Sequence, residues 1–141
     1  MKNGSTINSK LEDYIRMLDL MPETTDKYLW LMDLGKKSPI VPEKFKLKEF
    51  EVPGCQSQTW VVPHFTYDDK IYFTADSAAY ISKGMVCLLA DIFSNSTRKE
   101  IAAFKEKELK SLNLDILRTP GRRNGVYSML KVIQGYGQLP D

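Results

Sequence analysis

Two short runs rich in β-branched and aromatic residues stand in the middle of a chain whose other regular segments have helical periodicity. The runs are Thr59-Trp60-Val61-Val62 and Ile71-Tyr72-Phe73-Thr74, with Asp68-Asp69 between them. Runs of this composition separated by a polar turn predict an antiparallel hairpin. The chain as a whole is therefore predicted to have an α+β fold, with helices gathered on a small antiparallel sheet.

Two helices are predicted before the hairpin. Residues 7 to 20 form an amphipathic pattern, and a second helix is expected from about Thr25, with Gly35 as its C-cap. Pro39 and Pro42 then favour an extended connection. The apolar positions that define the two helices are Ile7, Leu11, Tyr14, Ile15 and Leu18 in the first and Tyr28, Leu29, Leu31 and Met32 in the second.

Three helices are predicted after the hairpin. Ser77 is expected to cap a central helix that is apolar around most of its circumference, from Ile81 to Phe93. Thr97 and Glu100 fit a capping box at the start of a short helix. A break at residues 119–121 precedes a last helix, expected from about Asn124 and ended by Gly135 and Gly137.

Composition limits the function classes that the chain can serve. It has 141 residues, enough for one domain over 1-141, and a net charge of +2 from 20 basic and 18 acidic residues. That balance gives no field for nucleic acid, so protein or small-molecule partners are expected. No targeting segment and no run of 18 apolar residues is found, which predicts a cytoplasmic protein that does not enter the membrane. Monomer and homodimer both stay open.

The two cysteines receive opposite interpretations. Cys55 follows Pro53-Gly54 in a turn, where a thiolate would be an accessible nucleophile, although a small apolar filler fits the pattern equally well. Cys87 lies inside the apolar helix and is expected to be buried and inert. A disulfide between them is not expected in a reducing compartment.

Other candidate groups are few. His64 is the only histidine and lies nine positions after Cys55 along a loop and a strand, so a Cys–His pair is not expected. Two cysteines and one histidine predict no metal site. Arg122 and Arg123, expected at a helix start, could bind an anion or a partner's carboxylate, or could simply be solvated.

The cysteine loop resembles a known family signature. Pro53-Gly54-Cys55-Gln56-Ser57-Gln58 followed by Trp60 is similar to the G-C-Q-S-x-x-W motif of the SufE family of cysteine desulfurase activators. The resemblance extends over roughly residues 10 to 134, through segments 28–39, 76–84 and 120–125. Four positions depart from the family pattern: Ala78 replaces an aspartate, Leu117 a frequent histidine, and Gly121 and Arg123 the two serines beside Arg122.

The resemblance implies a fold like that of iron–sulfur scaffold proteins and a sulfur-accepting role for Cys55. Its implied partners are a PLP-dependent cysteine desulfurase, which carries the pyridoxal phosphate while this chain carries no cofactor, and a downstream iron–sulfur scaffold. Gly54, Gln56, Ser57, Gln58 and Arg122 would support the loop or contact the partner. Two alternatives stay open: an adaptor that activates the desulfurase without using its cysteine, and a small thiol-dependent enzyme.

Overall fold

The computed structural model describes residues 6–139. Within this range five α-helices and three strands follow one another, which confirms the α+β prediction. In chain order they are α1 (Ile7–Asp19), α2 (Thr24–Lys37), β1 (Thr59–Phe65), β2 (Lys70–Ser77), α3 (Tyr80–Phe93), β3 (Ser96–Thr97), α4 (Arg98–Ala103) and α5 (Pro120–Gly137). Short 3-10 turns occupy Glu43–Phe45, Lys48–Phe50, Glu106–Ser111 and Asp115–Leu117.

The predicted hairpin is confirmed and is longer than the two apolar runs. β1 and β2 pair antiparallel from Thr59 opposite Ser77 to Phe65 opposite Ile71. Asp69 has a φ of 62°, a left-handed conformation that aspartate tolerates in tight turns. The two-residue strand β3 pairs with the start of β2 and was not predicted, because Ser96 and Thr97 are too few to show an alternating pattern.

Helix α3 is the centre of the core, as predicted from apolar residues around most of its circumference. Its side chains Met85, Leu88 and Leu89 are fully buried between α2 and the sheet. The backbones of α2 and α3 approach so closely that a Cβ at Gly84 would lie 2.0 Å from the Leu31 carbonyl oxygen. Glycine at this crossing is therefore a packing requirement.

Gly35 takes part in the same crossing, so the predicted C-cap is wrong. A Cβ at Gly35 would lie 2.6 Å from the carbonyl oxygen of Tyr80. The helix continues to Lys37 and ends at Ser38, whose ψ of 144° starts the extended connection expected from the prolines. Leu29, placed on the apolar stripe by its spacing, is instead exposed.

Two helix starts differ from the prediction. The capping box of Thr97 and Glu100 at the start of α4 is confirmed. Ser77 does not cap α3, because it is the last residue of β2 and its hydroxyl lies 3.0 Å from that of Thr59. Helix α5 starts at Pro120 and not near Asn124, since proline at the first helical position needs no amide partner.

The connection between α2 and β1 is fastened to the sheet by a buried carboxylate. Asp76, 5% exposed, accepts a 3.0 Å hydrogen bond from the Val41 amide. The ammonium groups of Lys83 and Lys46 lie 3.5 and 3.6 Å from its two oxygens. Lys83 also donates to the Ser38 carbonyl. These contacts hold the connection at several fixed points.

Candidate functional site

The Cys55 loop is a tight excursion between two anchored ends. At its base, the Val52 amide donates to the Thr59 carbonyl at 2.8 Å, and the Ala78 amide donates to the Gln58 carbonyl at 3.0 Å. Gly54 has a φ of 82°, which an L side chain rarely adopts. The sequence therefore places Cys55 directly after a turn that only glycine forms without strain.

The thiol faces a pocket of about 350 Å³ between the loop and three helices. Cys55 is half-buried there, and its Sγ lies 3.8 Å from the carbonyl oxygen of Gly125 on α5. Apolar side chains from α2, α3, the turn before α5 and α5 itself line the pocket: Met32, Ile81, Ile116, Val126 and Met129. The thiol is thus covered on the α5 side and held against apolar surface.

The predicted site residues fall into two groups. Gln56, Ser57 and Arg122 line the same pocket as Cys55. Gly54 and Gln58 lie outside its lining, and they shape the loop through the turn and the bond to Ala78. The Arg122 guanidinium donates to the Tyr28 hydroxyl at 3.3 Å and lies over that ring. The roles of these predicted site residues in sulfur transfer stay predictions.

Sequence reasoning missed the residues that enclose the thiol. Val52 and Trp60 are its apolar neighbours in the sequence, yet both are buried elsewhere and lie outside the pocket lining. The wall comes instead from Gly125, Val126 and Met129, which begin 70 residues further along the chain. No local pattern at these three positions signals the contact, because the contact depends on how α5 packs against the Cys55 loop.

The surroundings of the Cys55 thiol favour its neutral form over the thiolate. Burial raises the pKa of the Cys55 thiol, and the hydrogen bond with Thr59 opposes this with a smaller effect. Among the described residues that line the pocket, none is a histidine or a carboxylate, and the one ionised group is Arg122. This lining therefore offers a nucleophile without a general base.

His64 and Cys87 lie in a different part of the fold. His64 stacks on Tyr72 with ring centroids 4.5 Å apart, and its Nε2 lies 2.9 Å from the Thr74 hydroxyl. Burial lowers the pKa of His64. Cys87 is half-buried, its thiol donates to the Ala75 carbonyl, and burial raises its pKa. Both cysteines are free thiols, and His64 lies away from the Cys55 pocket.

Residues 6–139 lack the features of two other site classes. No cluster of histidine, cysteine and acidic side chains in this range is close enough to hold a metal ion. Across the same described residues, no helix is both long and apolar enough to span a membrane.

The chain matches a known family of proteins over most of its length. A family model described as the Fe-S metabolism associated domain SufE matches residues 12–137. The chain belongs to the SufE family. This family functions in iron–sulfur metabolism. The match confirms the resemblance seen in the Cys55 motif and extends it over most of the chain.

Relatives of the SufE chain are about 30% identical to it. The SufE-like protein 1, chloroplastic/mitochondrial, of Arabidopsis thaliana is 32% identical over 89% of this chain, which spans 34% of that longer protein. An uncharacterised SufE-like protein of Rhizobium meliloti is 31% identical over 94% of this chain and 99% of its own length. The cysteine desulfuration protein SufE of Wigglesworthia glossinidia brevipalpis is 30% identical, covering 86% of this chain and 85% of its own.

A solved structure supports the fold. The solution structure of a hypothetical protein from Thermus thermophilus superimposes with a TM-score of 0.73, covering 92% of this chain and 93% of that one. The two sequences are 18% identical, so this likeness bears on the fold alone.

Proposed function

We propose that this SufE-family chain accepts sulfur on Cys55 from a PLP-dependent cysteine desulfurase, stimulates that enzyme, and passes the sulfur on to an iron–sulfur scaffold. The observation that carries the proposal is the half-buried Cys55 thiol, presented by a glycine turn beside a pocket with space for one more sulfur atom. A thiolate is the acceptor form for such transfer, and a persulfide is one of its reversible products.

The transfer is a displacement at sulfur without net oxidation. The Cys55 thiolate attacks the outer sulfur of the persulfide on the desulfurase. A new bond forms between Cys55 Sγ and that sulfur, while the bond to the desulfurase cysteine breaks and its thiolate leaves. Emptying the desulfurase cysteine permits its next turnover, so a chain without a cofactor of its own raises the rate.

The proton on Cys55 has to leave before attack. Because burial raises its pKa and the described pocket lining supplies no base, ionisation requires that the loop open to water or that the partner supply the base. Gly54 is the residue whose freedom allows the turn to move. The desulfurase then selects an open conformer that the free protein populates weakly.

The burial that suppresses ionisation protects the product. A persulfide left in bulk solvent would be lost to other thiols and to oxidants. In the closed loop the pocket offers an added sulfur apolar contacts with Ile81, Val126 and Met129, which would reduce its exposure to water. This explains why a carrier would hold its reactive group in a pocket that slows its own loading.

Mass spectrometry after incubation with a cognate desulfurase and free cysteine tests the proposal. Wild-type protein is expected to gain mass in steps of one sulfur atom that a reductant removes, and Cys55→Ala is expected to gain none and to stimulate no turnover. Cys87→Ala serves as the matched control and should load normally. A Cys55→Ala protein that stimulates as well as wild type would support the cysteine-independent adaptor instead.

A further inference from the structure

A second concave surface lies beside the thiol pocket, around the first turns of α5. We call it the Arg123 pocket; its volume is about 370 Å³. Three basic side chains line it, from the segment between α4 and α5 and from α5 itself: Lys110, Arg118 and Arg123. No carboxylate is among its described lining residues. The pocket is therefore positively charged, unlike the thiol pocket, whose walls are mainly apolar.

Two of the three cations are without an acidic partner in the described part of the chain. Arg118 is engaged, because its guanidinium donates to the carboxylate of Asp115 and to the side-chain oxygen of Asn113. Within residues 6–139, neither Arg123 nor Lys110 forms an ion pair or a side-chain hydrogen bond. Arg123 is half-buried, so part of its hydration is already lost without compensation from these residues.

The floor of the pocket is apolar. Leu112, Leu114 and Leu117 form it, and each is at most 7% exposed. Tyr127, half-buried one helical turn beyond Arg123, supplies the remaining wall. An occupant would therefore meet a guanidinium fork, an ammonium group and hydrocarbon side chains.

We propose that the Arg123 pocket binds an organic oxyanion, that is, a carboxylate or phosphate group joined to a short apolar stem. The planar guanidinium matches the paired oxygens of such groups, and Lys110 adds a mobile second charge. The stem covers the leucine floor, which a fully hydrated inorganic ion would leave in contact with water. This assigns a role to Arg123, a position at which the SufE pattern has serine.

Two sources present this chemistry: a free organic acid, and an acidic side chain of the protein partner beside the thiol pocket. Arg122 and Arg123 are consecutive, yet Arg122 lines the thiol pocket and Arg123 lines this one. A partner docked over the thiol pocket at Arg122 would therefore lie one residue along α5 from Arg123. The site itself does not depend on sulfur transfer, so it can be tested without a desulfurase.

The direct test is a titration followed by NMR of isotope-labelled protein, with benzoate as the probe and uncharged benzamide as its matched control. We expect benzoate to shift the side-chain signal of Arg123 and the amide signal of Tyr127 saturably, and benzamide to have little effect. Inorganic phosphate should bind more weakly than benzoate at equal ionic strength, since it leaves the leucine floor uncovered.

Variants locate the binding. Arg123→Gln should weaken benzoate binding by about tenfold, the contribution of a charge-assisted hydrogen bond pair. Arg123→Lys, which keeps the charge and loses the fork, should fall between Arg123→Gln and wild type. Lys131→Gln, at an exposed position further along α5, is the control and should bind as wild type. Equal weakening by Arg123→Gln and Lys131→Gln, or equal affinity for benzoate and benzamide, would overturn the proposal.

A second measurement separates the two sources. With a cognate desulfurase at fixed ionic strength, benzoate should raise the concentration of wild-type chain needed for half-maximal stimulation if a partner carboxylate occupies the site. The same addition should leave the Arg123→Gln chain unaffected. Stimulation that is indifferent to benzoate in both chains assigns the site to a free organic acid.

Discussion

The environment of Cys55 has a direct kinetic consequence. Because burial raises the thiol pKa, a smaller fraction is thiolate at neutral pH than in an unstructured peptide. We expect alkylation of Cys55 by iodoacetamide to be slower than that of a peptide thiol and its rate to rise through a midpoint at higher pH. The measurement is the alkylation rate against pH in Cys87→Ala protein, with the denatured chain as reference.

The partner should change that rate. A desulfurase inactivated at its own catalytic cysteine is expected to speed alkylation of Cys55 if it selects the open loop and leaves the thiol reachable. Peptide-like reactivity in the free chain, unchanged by the partner, would mean that the loop is always open.

At the residue scale, the sequence singled out Cys55 as the candidate residue but did not predict its surroundings. Cys55 stands out because a glycine turn and a family motif surround it in the chain. Gly125 and Met129 carry no local sign of proximity to a thiol, since that proximity depends on how α5 packs across the sheet. Arg123 was visible in the sequence as a possible anion-binding residue and as a departure from the family pattern, whereas its pocket became visible only with the leucines that line it.

At the scale of elements, the crossing of α2 and α3 is the least tolerant contact. Gly84→Ala would place a methyl group 2.0 Å from the Leu31 carbonyl, so the helices must separate. We expect a loss of roughly 1–3 kcal/mol in the free energy of unfolding, measured by urea denaturation.

Gly135 supplies the matched control for that substitution. It lies in α5, and apart from its chain neighbours and the adjacent backbone of α5, none of the described residues comes within 4 Å of the position that a Cβ would take there. Gly135→Ala should therefore raise the free energy of unfolding by about 0.5–1 kcal/mol, through the higher helix propensity of alanine. Similar effects of the two substitutions would contradict the close crossing.

Element types were more predictable than element ends. The hairpin, the central helix and the capping box of Thr97 follow from local patterns, because their apolar residues or caps are contiguous in the chain. Gly35 and Ser77 were misassigned since each has a common terminal role that a tertiary contact overrides here. Gly35 is needed by the neighbouring α3, and Ser77 is held in β2 by its pairing with Thr59.

At the scale of the whole molecule, the buried thiol and phenol groups predict that the protein becomes less stable at alkaline pH. The pKa values of Cys55, Cys87 and Tyr14 are all raised, chiefly by burial, so unfolding releases protons above the ordinary thiol pKa of 9.0. The unfolded chain then binds fewer protons than the folded one, and the free energy of unfolding falls as pH rises. Chemical denaturation between about pH 7 and 10 measures the decline.

Single substitutions measure how much each thiol contributes to the fall in the free energy of unfolding with pH. Cys87→Ala removes one raised thiol and should make the curve flatter above about pH 9, whatever it does to stability at neutral pH. Cys55→Ala should flatten it as well. A stability curve of unchanged slope in both variants would show that the thiols titrate normally in the folded state.

Asp76 anchors the α2–β1 connection, and this limits how chains of this kind can change in length through evolution. Ser38, Val41 and Lys46 contact the buried Asp76 and Lys83 at three points along this connection. An insertion or deletion between residues 38 and 46 would move at least one of these contacts out of register. A buried charge would then lose its partner. We therefore expect homologous genes to keep the spacing from 38 to 46 constant, and to accumulate length differences in exposed turns such as residues 66–69.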